Sequence, residues 1–111
     1  MSSTMALVSI VMGVYNGERY LADQIRSILA QTHLNFELLV FDDGSNDGSV
    51  ALAESLAAED RRVRVIRNAS NKGLVANFLD GLRLARGEFV AFSDQDDVWN
   101  PRKIETLLAV C

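Results

Sequence analysis

The feature that most constrains the fold is a regular alternation of two hydrophobic patterns along the chain. Four short apolar runs, each typical of a buried strand, are followed in turn by apolar positions at helical spacing. The strand-like runs are residues 7–12, 36–41, 63–66 and 89–92. The helical stripes are marked by Leu21, Ile25, Ile28 and Leu29, by Val50, Leu52, Ala53 and Leu56, by Val75, Phe78, Leu79 and Leu82, and by Ile104, Leu107 and Leu108. Four strand–helix units predict an α/β fold with a parallel four-stranded sheet and helices on both faces.

We predict the strand order 3-2-1-4, which makes the first strand central. The third run alternates at its start, as Val63-Arg64-Val65, and this suits a position at an edge. The fourth strand then forms the other edge, although residues 89–92 are apolar throughout. Because an apolar edge strand favours pairing with another chain, we expect a homodimer through this edge.

Capping residues predict where the helices begin and end. Ser45 or Asp47 is available to cap the second helix, since both residue types accept a hydrogen bond from the first turn. Gly87 lies where a glycine would end the third helix. Asn100-Pro101 suits the start of the fourth, with proline at the first helical position.

Composition excludes several classes of protein. The chain has 111 residues with 11 basic and 15 acidic side chains, a net charge of −4, which argues against a nucleic-acid partner. This length suits one domain, residues 1–111. The single cysteine, Cys111, offers no disulfide and suits a reducing compartment. The apolar stretch at residues 6–15 is shorter than the roughly 20 residues that span a bilayer, so we expect a cytoplasmic protein.

Polar residues collect where the strands end, and parallel strands all end at the same edge of the sheet. They are Tyr15 and Asn16 after the first run, Asp42 and Asp43 after the second, residues 68–72 after the third, and Asp94, Asp96 and Asp97 after the fourth. Two carboxylates about 5 Å apart repel by roughly 3 kcal/mol at an effective dielectric constant near 20. Hard oxygen ligands prefer Mg²⁺, Mn²⁺ or Ca²⁺. The acidic cluster therefore predicts a divalent cation, with positions open for phosphate.

Structural alternatives stand beside these assignments. Residues 42–45 also read as an ordinary turn after a strand, and Asp47 reads as a helix cap rather than a ligand. Tyr15 can equally be the end of a core strand. His33 has no metal partner nearby in sequence, which favours a surface or capping role. A plain solvated loop is the disfavoured interpretation of Asp94-Gln95-Asp96-Asp97, because three acids in four residues directly follow an apolar strand.

Two common site motifs are absent. The first strand–helix turn, residues 13–18, is neither a Gly-x-Gly-x-x-Gly fingerprint nor a P-loop. A nucleoside diphosphate bound here would need its charge neutralised elsewhere, and the acids after the fourth strand could hold the cation that does so. The sequence also offers no Ser/His/Asp or Cys/His combination for nucleophilic catalysis.

Several motifs, in this order, resemble the inverting glycosyltransferases of family 2, whose nucleotide-sugar-binding fold is called GT-A. They are residues 8–16, Ser27-Ile28-Leu29-Ala30-Gln31-Thr32, Asp42-Asp43-Gly44-Ser45-Asn46-Asp47, Asn71-Lys72-Gly73, Gly87-Glu88 and Asp94-Gln95-Asp96-Asp97-Val98-Trp99. The last motif resembles bacterial polysaccharide-assembly transferases of the rhamnosyltransferase-like kind. The resemblance implies that the chain is the Rossmann-like half of a GT-A fold.

The resemblance also implies roles for individual residues. Tyr15 and its neighbour Asn16 would contact the nucleoside base, and Asp43 would bind it through its carboxylate. The loop formed by Asn71, Lys72 and Gly73 would close over that carboxylate. The DxD motif corresponds to Asp94 and Asp96: Asp94 would contact the ribose or the metal, and Asp96 would bind Mn²⁺ or Mg²⁺ at the diphosphate.

In this family the acceptor site and the catalytic base lie well downstream of the DxD motif. An inverting transfer needs a general base to deprotonate the acceptor hydroxyl, so we expect that base beyond Cys111, in a longer enzyme with a glycan acceptor. We also expect peripheral association with the inner face of the membrane. A non-catalytic nucleotide- or partner-binding module is the alternative. A receiver-like signalling domain is disfavoured, because the first and third strands end in Tyr15-Asn16 and Arg67-Asn68 rather than in acids.

Overall fold

The computed structural model describes residues 6–93 and 98–109, and these residues form four alternating strands and helices. The strands are β1 (Val8–Val14), β2 (Phe36–Asp42), β3 (Val63–Arg67) and β4 (Phe89–Ser93). The helices are α1 (Leu21–Leu29), α2 (Ser49–Glu59), α3 (Leu74–Leu84) and α4 (Lys103–Ala109). All strand pairs are parallel, in the order β3-β2-β1-β4, which confirms the predicted α/β fold and strand order. None of the described helices is long and apolar enough to cross a bilayer.

Three helices pack on one face of the sheet, which we call the three-helix face. Alternate residues of β1, from Val8 to Val14, point to it because side chains alternate along a strand. The helical part of this core comprises Leu21, Ile25 and Ile28 of α1, Ala53 and Leu56 of α2, and Ile104 and Leu108 of α4. The predicted stripes of these helices therefore include the residues that face the core.

The opposite face, which we call the α3 face, has a much smaller core of Val11, Leu39 and Phe41. Helix α3 covers it through its small and polar residues, since Gly81 lies so close to Val11 that a Cβ there would overlap the valine. The apolar stripe that marks α3 in the sequence is instead largely solvent-exposed, at 38–71% for Val75, Phe78, Leu79 and Leu82.

The predicted ends of three helices are wrong by one to three residues. The N-cap of α2 is Gly48 rather than Ser45 or Asp47, although the Asp47 carboxylate accepts the Ser49 N–H at 2.9 Å. Helix α3 ends at the C-cap Ala85, not at Gly87, because the Gly87 N–H donates to Ser9 Oγ at 2.8 Å.

Helix α4 begins at Lys103, not at Pro101. The carbonyls of Asn100 and Pro101 accept hydrogen bonds from Gln31 Nε2 at 2.7 Å and from the Thr32 N–H at 2.8 Å. The Asn100 side chain caps the intervening turn by accepting the Arg102 N–H at 2.9 Å. Contacts with the end of α1 thus hold residues 100–102 in a turn before the helix.

His33 is buried, with 6% of its surface exposed, so the expected surface position is wrong. Its Nε2 atom lies 2.8 Å from the carbonyl oxygen of Ala6 and 3.1 Å from that of Asn35. These two carbonyls precede β1 and β2. His33 therefore links the residues that lead into the two central strands, β1 and β2, and has a structural role.

Candidate functional site

A pocket of about 170 Å³ opens at the carboxyl ends of β1 and β4. The strand order reverses at this point, because the chain passes from β1 to β2 and β3 on one side and returns to pair β4 on the other. Ligands of open α/β sheets bind at such a reversal. The pocket is lined by Gly13, Val14, Tyr15, Asp43, Leu74, Asn77 and Ser93.

Asp43 is a buried carboxylate in the wall of this pocket, with 6% of its surface exposed. Its Oδ1 atom accepts the Lys72 N–H at 2.7 Å and the Asn68 side-chain amide at 3.0 Å. Its Oδ2 atom accepts the Gly73 N–H at 3.0 Å. The structure therefore brings the 71–73 loop onto Asp43 through backbone groups. The Asn77 side-chain amide is a fourth hydrogen-bond donor to this carboxylate.

These donors keep Asp43 ionised at neutral pH. Burial acts to raise the pKa of the carboxyl, but the N–H groups of Lys72 and Gly73 and the side-chain amides of Asn68 and Asn77 outweigh it and lower the pKa. Hydrogen bonds to the charged form of an acid have this effect. A fixed negative oxygen at the wall of a pocket selects a ligand that presents an N–H.

The loop reaches Asp43 because Gly73 adopts a left-handed backbone conformation, with φ of +88°. Such a φ is strained for residues with a side chain and is accessible to glycine. Gly73 is also the N-cap of α3, so one residue turns the loop, donates to Asp43 and starts the helix.

The adjacent Asp42 has a different role, which matches the structural alternative for residues 42–45. It is 3% exposed, and its carboxylate accepts the Ser45 N–H at 3.0 Å and the Ser45 hydroxyl at 2.6 Å. Both contacts close the turn after β2. Asp42 therefore shapes the loop, whereas Asp43 faces the pocket.

Tyr15 lies at the mouth of the pocket with 43% of its surface exposed. Its ring is not part of the core, so the interpretation of Tyr15 as the end of a buried strand is wrong. An exposed aromatic ring in the same pocket as a fixed carboxylate is suited to stacking on a planar ligand.

Asn16 and Lys72 lie beside the pocket rather than among its lining residues. Asn16 has φ of +50°, and its side-chain oxygen accepts the Asn46 N–H at 2.8 Å, which ties the loop after β1 to the loop after β2. The Lys72 ammonium group forms an ion pair with Asp80 at 3.2 Å. Asn71 is exposed on the same loop.

Two polar residues of the pocket were missed by the sequence analysis. Asn77 is 4% exposed, and its oxygen accepts the amide of Asn68 at 2.6 Å. Ser93 ends β4 and is 4% exposed. The polarity of Asn77 did not single it out, because α3 also carries Asp80 and Arg83.

The predicted metal ligands Asp94 and Asp96, with Asp97, lie outside the described residues. Within residues 6–93 and 98–109, no group of three or more His, Cys, Asp or Glu side chains is arranged to hold a metal ion. Ser93 and Val98, which flank the acidic segment, are described, and Ser93 lines the pocket.

Two relatives in sequence are enzymes by name. The chain is 38% identical over 104 residues to the UDP-Glc:alpha-D-GlcNAc-diphosphoundecaprenol beta-1,3-glucosyltransferase WfgD of Escherichia coli, a match that covers 94% of this chain and 40% of the relative. It is 36% identical over 101 residues to the glycosyltransferase GlyG of Streptococcus pneumoniae serotype 4, covering 91% and 34% of the two chains.

Two solved structures share the fold. The S. aureus TarS fragment 1–349, in complex with UDP-GlcNAc, superposes with a TM-score of 0.83 at 29% identity, over 95% of this chain and 30% of that one. The mannosyltransferase PcManGT from Pyrobaculum calidifontis, in complex with GDP-Man and Mn²⁺, superposes with a TM-score of 0.83 at 23% identity, over 96% and 32%. The latter likeness concerns the fold alone.

The fold is thus that of the GT-A glycosyltransferases, as the sequence motifs predict. The match spans 30–40% of the two relatives and of the two solved chains, one of which is the TarS fragment. The model of the family described as Glycosyl transferase family 2 matches residues 9–110. With nearly the whole chain matched by that model, the protein belongs to glycosyltransferase family 2.

Proposed function

We propose that this chain binds the donor of a sugar-transfer reaction, a nucleoside-diphosphate sugar, for transfer to a polysaccharide or other glycan acceptor. The observation that carries the proposal is the ionised Asp43, held by the 71–73 loop in the pocket at the strand reversal, beside the exposed Tyr15. A rigid acceptor and an aromatic ring fit a nucleoside base, which presents both an N–H edge and a flat face.

The 71–73 loop supports this assignment by fixing the carboxylate before a ligand arrives. Both backbone donors of the loop lie within 3.0 Å of Asp43, so little ordering is required on binding. Asn71, on the exposed side of the loop, would close over the base, and Asn16 would hold the opposite loop in place. The TarS relative with UDP-GlcNAc adds support, because it shares both fold and sequence with this chain.

For the diphosphate, we propose Mn²⁺ or Mg²⁺ held by Asp94 and Asp96. Carboxylates suit these cations, and a bound cation would neutralise the departing diphosphate. Ser93 supports this assignment, because it lines the pocket and immediately precedes Asp94 in the sequence. The rhamnosyl character expected from this motif stays a prediction.

We assign no catalytic base within the 111 residues, so we expect donor binding without sugar transfer by this chain alone. The relatives are more than twice its length, and a base beyond Cys111 fits the family resemblance. An assay with UDP- and GDP-sugars and simple glycan acceptors tests this point. Metal-dependent transfer by the 111-residue chain would contradict it.

We also propose two further partners, a second copy of the chain and a membrane surface. No described strand pairs with the outer edge of β4, whose Phe92 is 37% exposed; this supports a homodimer through that edge. The WfgD relative is named for a diphosphoundecaprenol-linked acceptor, which supports a cytoplasmic enzyme at the inner face of the membrane. Sedimentation velocity measures dimer formation, and co-sedimentation with vesicles measures membrane association.

Donor binding is tested by thermal unfolding with UDP or GDP, with and without Mn²⁺. At ten times Kd, linkage stabilises the protein by about 1.4 kcal/mol, or about 5–10 °C in melting temperature. Asp96→Asn should abolish the metal-dependent part of the shift, and Asp43→Asn should weaken nucleotide binding with or without metal. The exposed Asp23→Asn in α1 is the control. Equal stabilisation in EDTA would contradict the metal site, and no stabilisation by either nucleotide would contradict donor binding.

A further inference from the structure

Helix α1 and the turn after it carry three inward-facing polar side chains, Gln24, Ser27 and Gln31, which we call the α1 polar row. Their spacing of three and four residues places them on one side of the helix. Gln24 and Gln31 are each only 1% exposed. Buried amides are costly unless hydrogen-bonded, so their partners show what the row is for.

The first member of the row contacts the end of β4. Gln24 Nε2 donates to Ser93 Oγ at 3.0 Å, in a hydrogen bond between two buried side chains. Ser93 is the last residue of β4 and the last described residue before the acidic segment. The row thus fixes the point at which the chain enters residues 94–97.

The other two members hold the chain where it leaves that segment. Ser27 Oγ accepts the Trp99 N–H at 2.9 Å. Gln31 donates from Nε2 to the Asn100 carbonyl at 2.7 Å and accepts the Ile104 N–H on Oε1 at 3.0 Å. Because Ser27 Oγ also donates to the Gln24 carbonyl at 2.7 Å, the entry and exit contacts form one connected network.

We propose that the α1 polar row consists of positioning residues, which set the place of the acidic segment by fixing both of its ends to one helix. The inference rests on the proposed function, since it supposes that Asp94 and Asp96 meet a metal-bound diphosphate. No member of the row lines the pocket. Its effect is to hold the two described flanks of that segment, Ser93 and Trp99, in place before the metal and diphosphate bind.

A purely structural role predicts a different pattern of effects. A residue that only stabilises the core should weaken every ligand in proportion to the unfolded fraction. A positioning residue should weaken the metal-dependent contribution alone, because the base contacts at Asp43 and Tyr15 belong to other loops. The two roles therefore separate when nucleotide affinity is measured with and without metal in the folded protein.

The chain supplies its own reporter for such measurements. Trp99 is the only tryptophan of the sequence, it is 3% exposed, and its backbone is held by Ser27. Its indole N–H has no partner among the described residues. Changes in how the exit of the acidic segment packs should therefore alter its fluorescence.

The experiment compares Gln24→Met and Ser27→Ala with the wild-type chain, using UDP and GDP as probes with Mn²⁺ or with EDTA. Calorimetry gives Kd, and Trp99 emission reports local packing. Each variant should weaken the Mn²⁺-dependent binding about fivefold or more, the scale of one lost hydrogen bond, with Kd in EDTA unchanged. Ser27→Thr keeps the hydroxyl and should restore binding. Ile28→Val, a neighbouring core change in α1 that removes no side-chain hydrogen bond of the row, is the control for lost stability.

The outcomes distinguish this inference from the proposed function. Metal-dependent binding by wild type that persists unchanged in both variants would overturn the positioning role and leave donor binding intact. Equal weakening with Mn²⁺ and with EDTA, or an equal effect from Ile28→Val, would mean that the row only stabilises the core. Failure of wild type to bind either nucleotide would overturn the proposed function and this inference together.

Discussion

On the three-helix face, α1, α2 and α4 are held to the sheet by apolar side chains, whereas α3 on the opposite face is held mainly at its two ends. The small core on the α3 face leaves Phe78 and Leu79 exposed, and Phe78 stacks on Phe92 with ring centroids 3.9 Å apart. The difference shows that one sheet can use hydrophobic burial on one side and polar anchors on the other.

The anchors of α3 are two carboxylates at opposite ends of β2. Asp43 accepts the N–H groups of Lys72 and Gly73 just before the helix. Glu37 accepts the Arg86 N–H just after it, at 2.7 Å. The pocket is built on the α3 face, so the residues that would recognise a base also hold the helix in place.

The largest effect is expected on the three-helix face. Ile25→Ala removes a fully buried side chain from α1, and such changes cost about 2–5 kcal/mol of unfolding free energy. Urea denaturation should show the whole chain unfolding at a lower midpoint. A cost below about 1 kcal/mol would mean that this face is no better packed than the other.

A smaller and more local effect is expected from Asp43→Asn, because the amide keeps one oxygen but loses the negative charge that the loop donors surround. Weakening hydrogen bonds to a charged group should lower the free energy of unfolding by about 1–3 kcal/mol. Hydrogen exchange should accelerate in α3 while amides of α1 remain protected. Uniform acceleration in both helices would contradict the separate anchoring of α3.

Acid should weaken the same anchors. Burial acts to raise the pKa of Glu37, but the Ser9 hydroxyl and the N–H and guanidinium of Arg86 lower it, and the pKa of Asp43 is lowered too. A lowered folded-state pKa contributes stability above the unfolded value, about 3.9 for Asp and 4.3 for Glu, and the contribution is lost as pH falls through the folded value. Below about pH 4 the wild type should lose stability more steeply than the double variant Glu37→Gln, Asp43→Asn. Parallel pH curves would exclude the anchoring role.

The smallest effect on stability is expected from Leu79→Lys, since this side chain is 47% exposed on α3. The free energy of unfolding should change by less than about 0.5 kcal/mol. Self-association at high concentration should fall, because the variant adds charge to the exposed apolar stripe. Ala51→Lys adds the same charge on the exposed side of α2 and serves as the control. An equal fall in both variants would indicate simple charge repulsion.

The sequence was most informative where local pattern and burial agree. The apolar runs that precede Tyr15 and Asp43 correctly predicted two strands. Topology rules for parallel sheets then predicted the strand order and the edge at which the polar residues meet. The pattern failed at α3, where an apolar stripe predicted burial but Gly81 packs against Val11 instead. It also failed at His33, whose buried ring contacts the carbonyl of Ala6, 27 residues earlier in the chain.

The candidate site was predictable to the extent that it follows the strand ends. Asp43 and Tyr15 belong to the loops that continue β2 and β1, so topology places them. The separate roles of Asp42 and Asp43 were not predictable, because neighbouring side chains on a strand differ only in which face they take and which donors they meet. Asn77 comes from α3, where Asp80 and Arg83 are polar too, so its polarity alone did not predict a place in the pocket.

The pairing of β1 with β4 has a consequence for how the chain folds. Val8 pairs with Phe89 and Met12 with Ser93, so the central strand finds its last neighbour about eighty residues along the chain. Contacts at such separation form slowly because a long loop must close first. During synthesis β1, β2 and β3 can assemble before β4 has emerged, and until then the pocket lacks Ser93, its lining residue from β4. Ligand binding is therefore expected to be among the last properties that the nascent chain acquires.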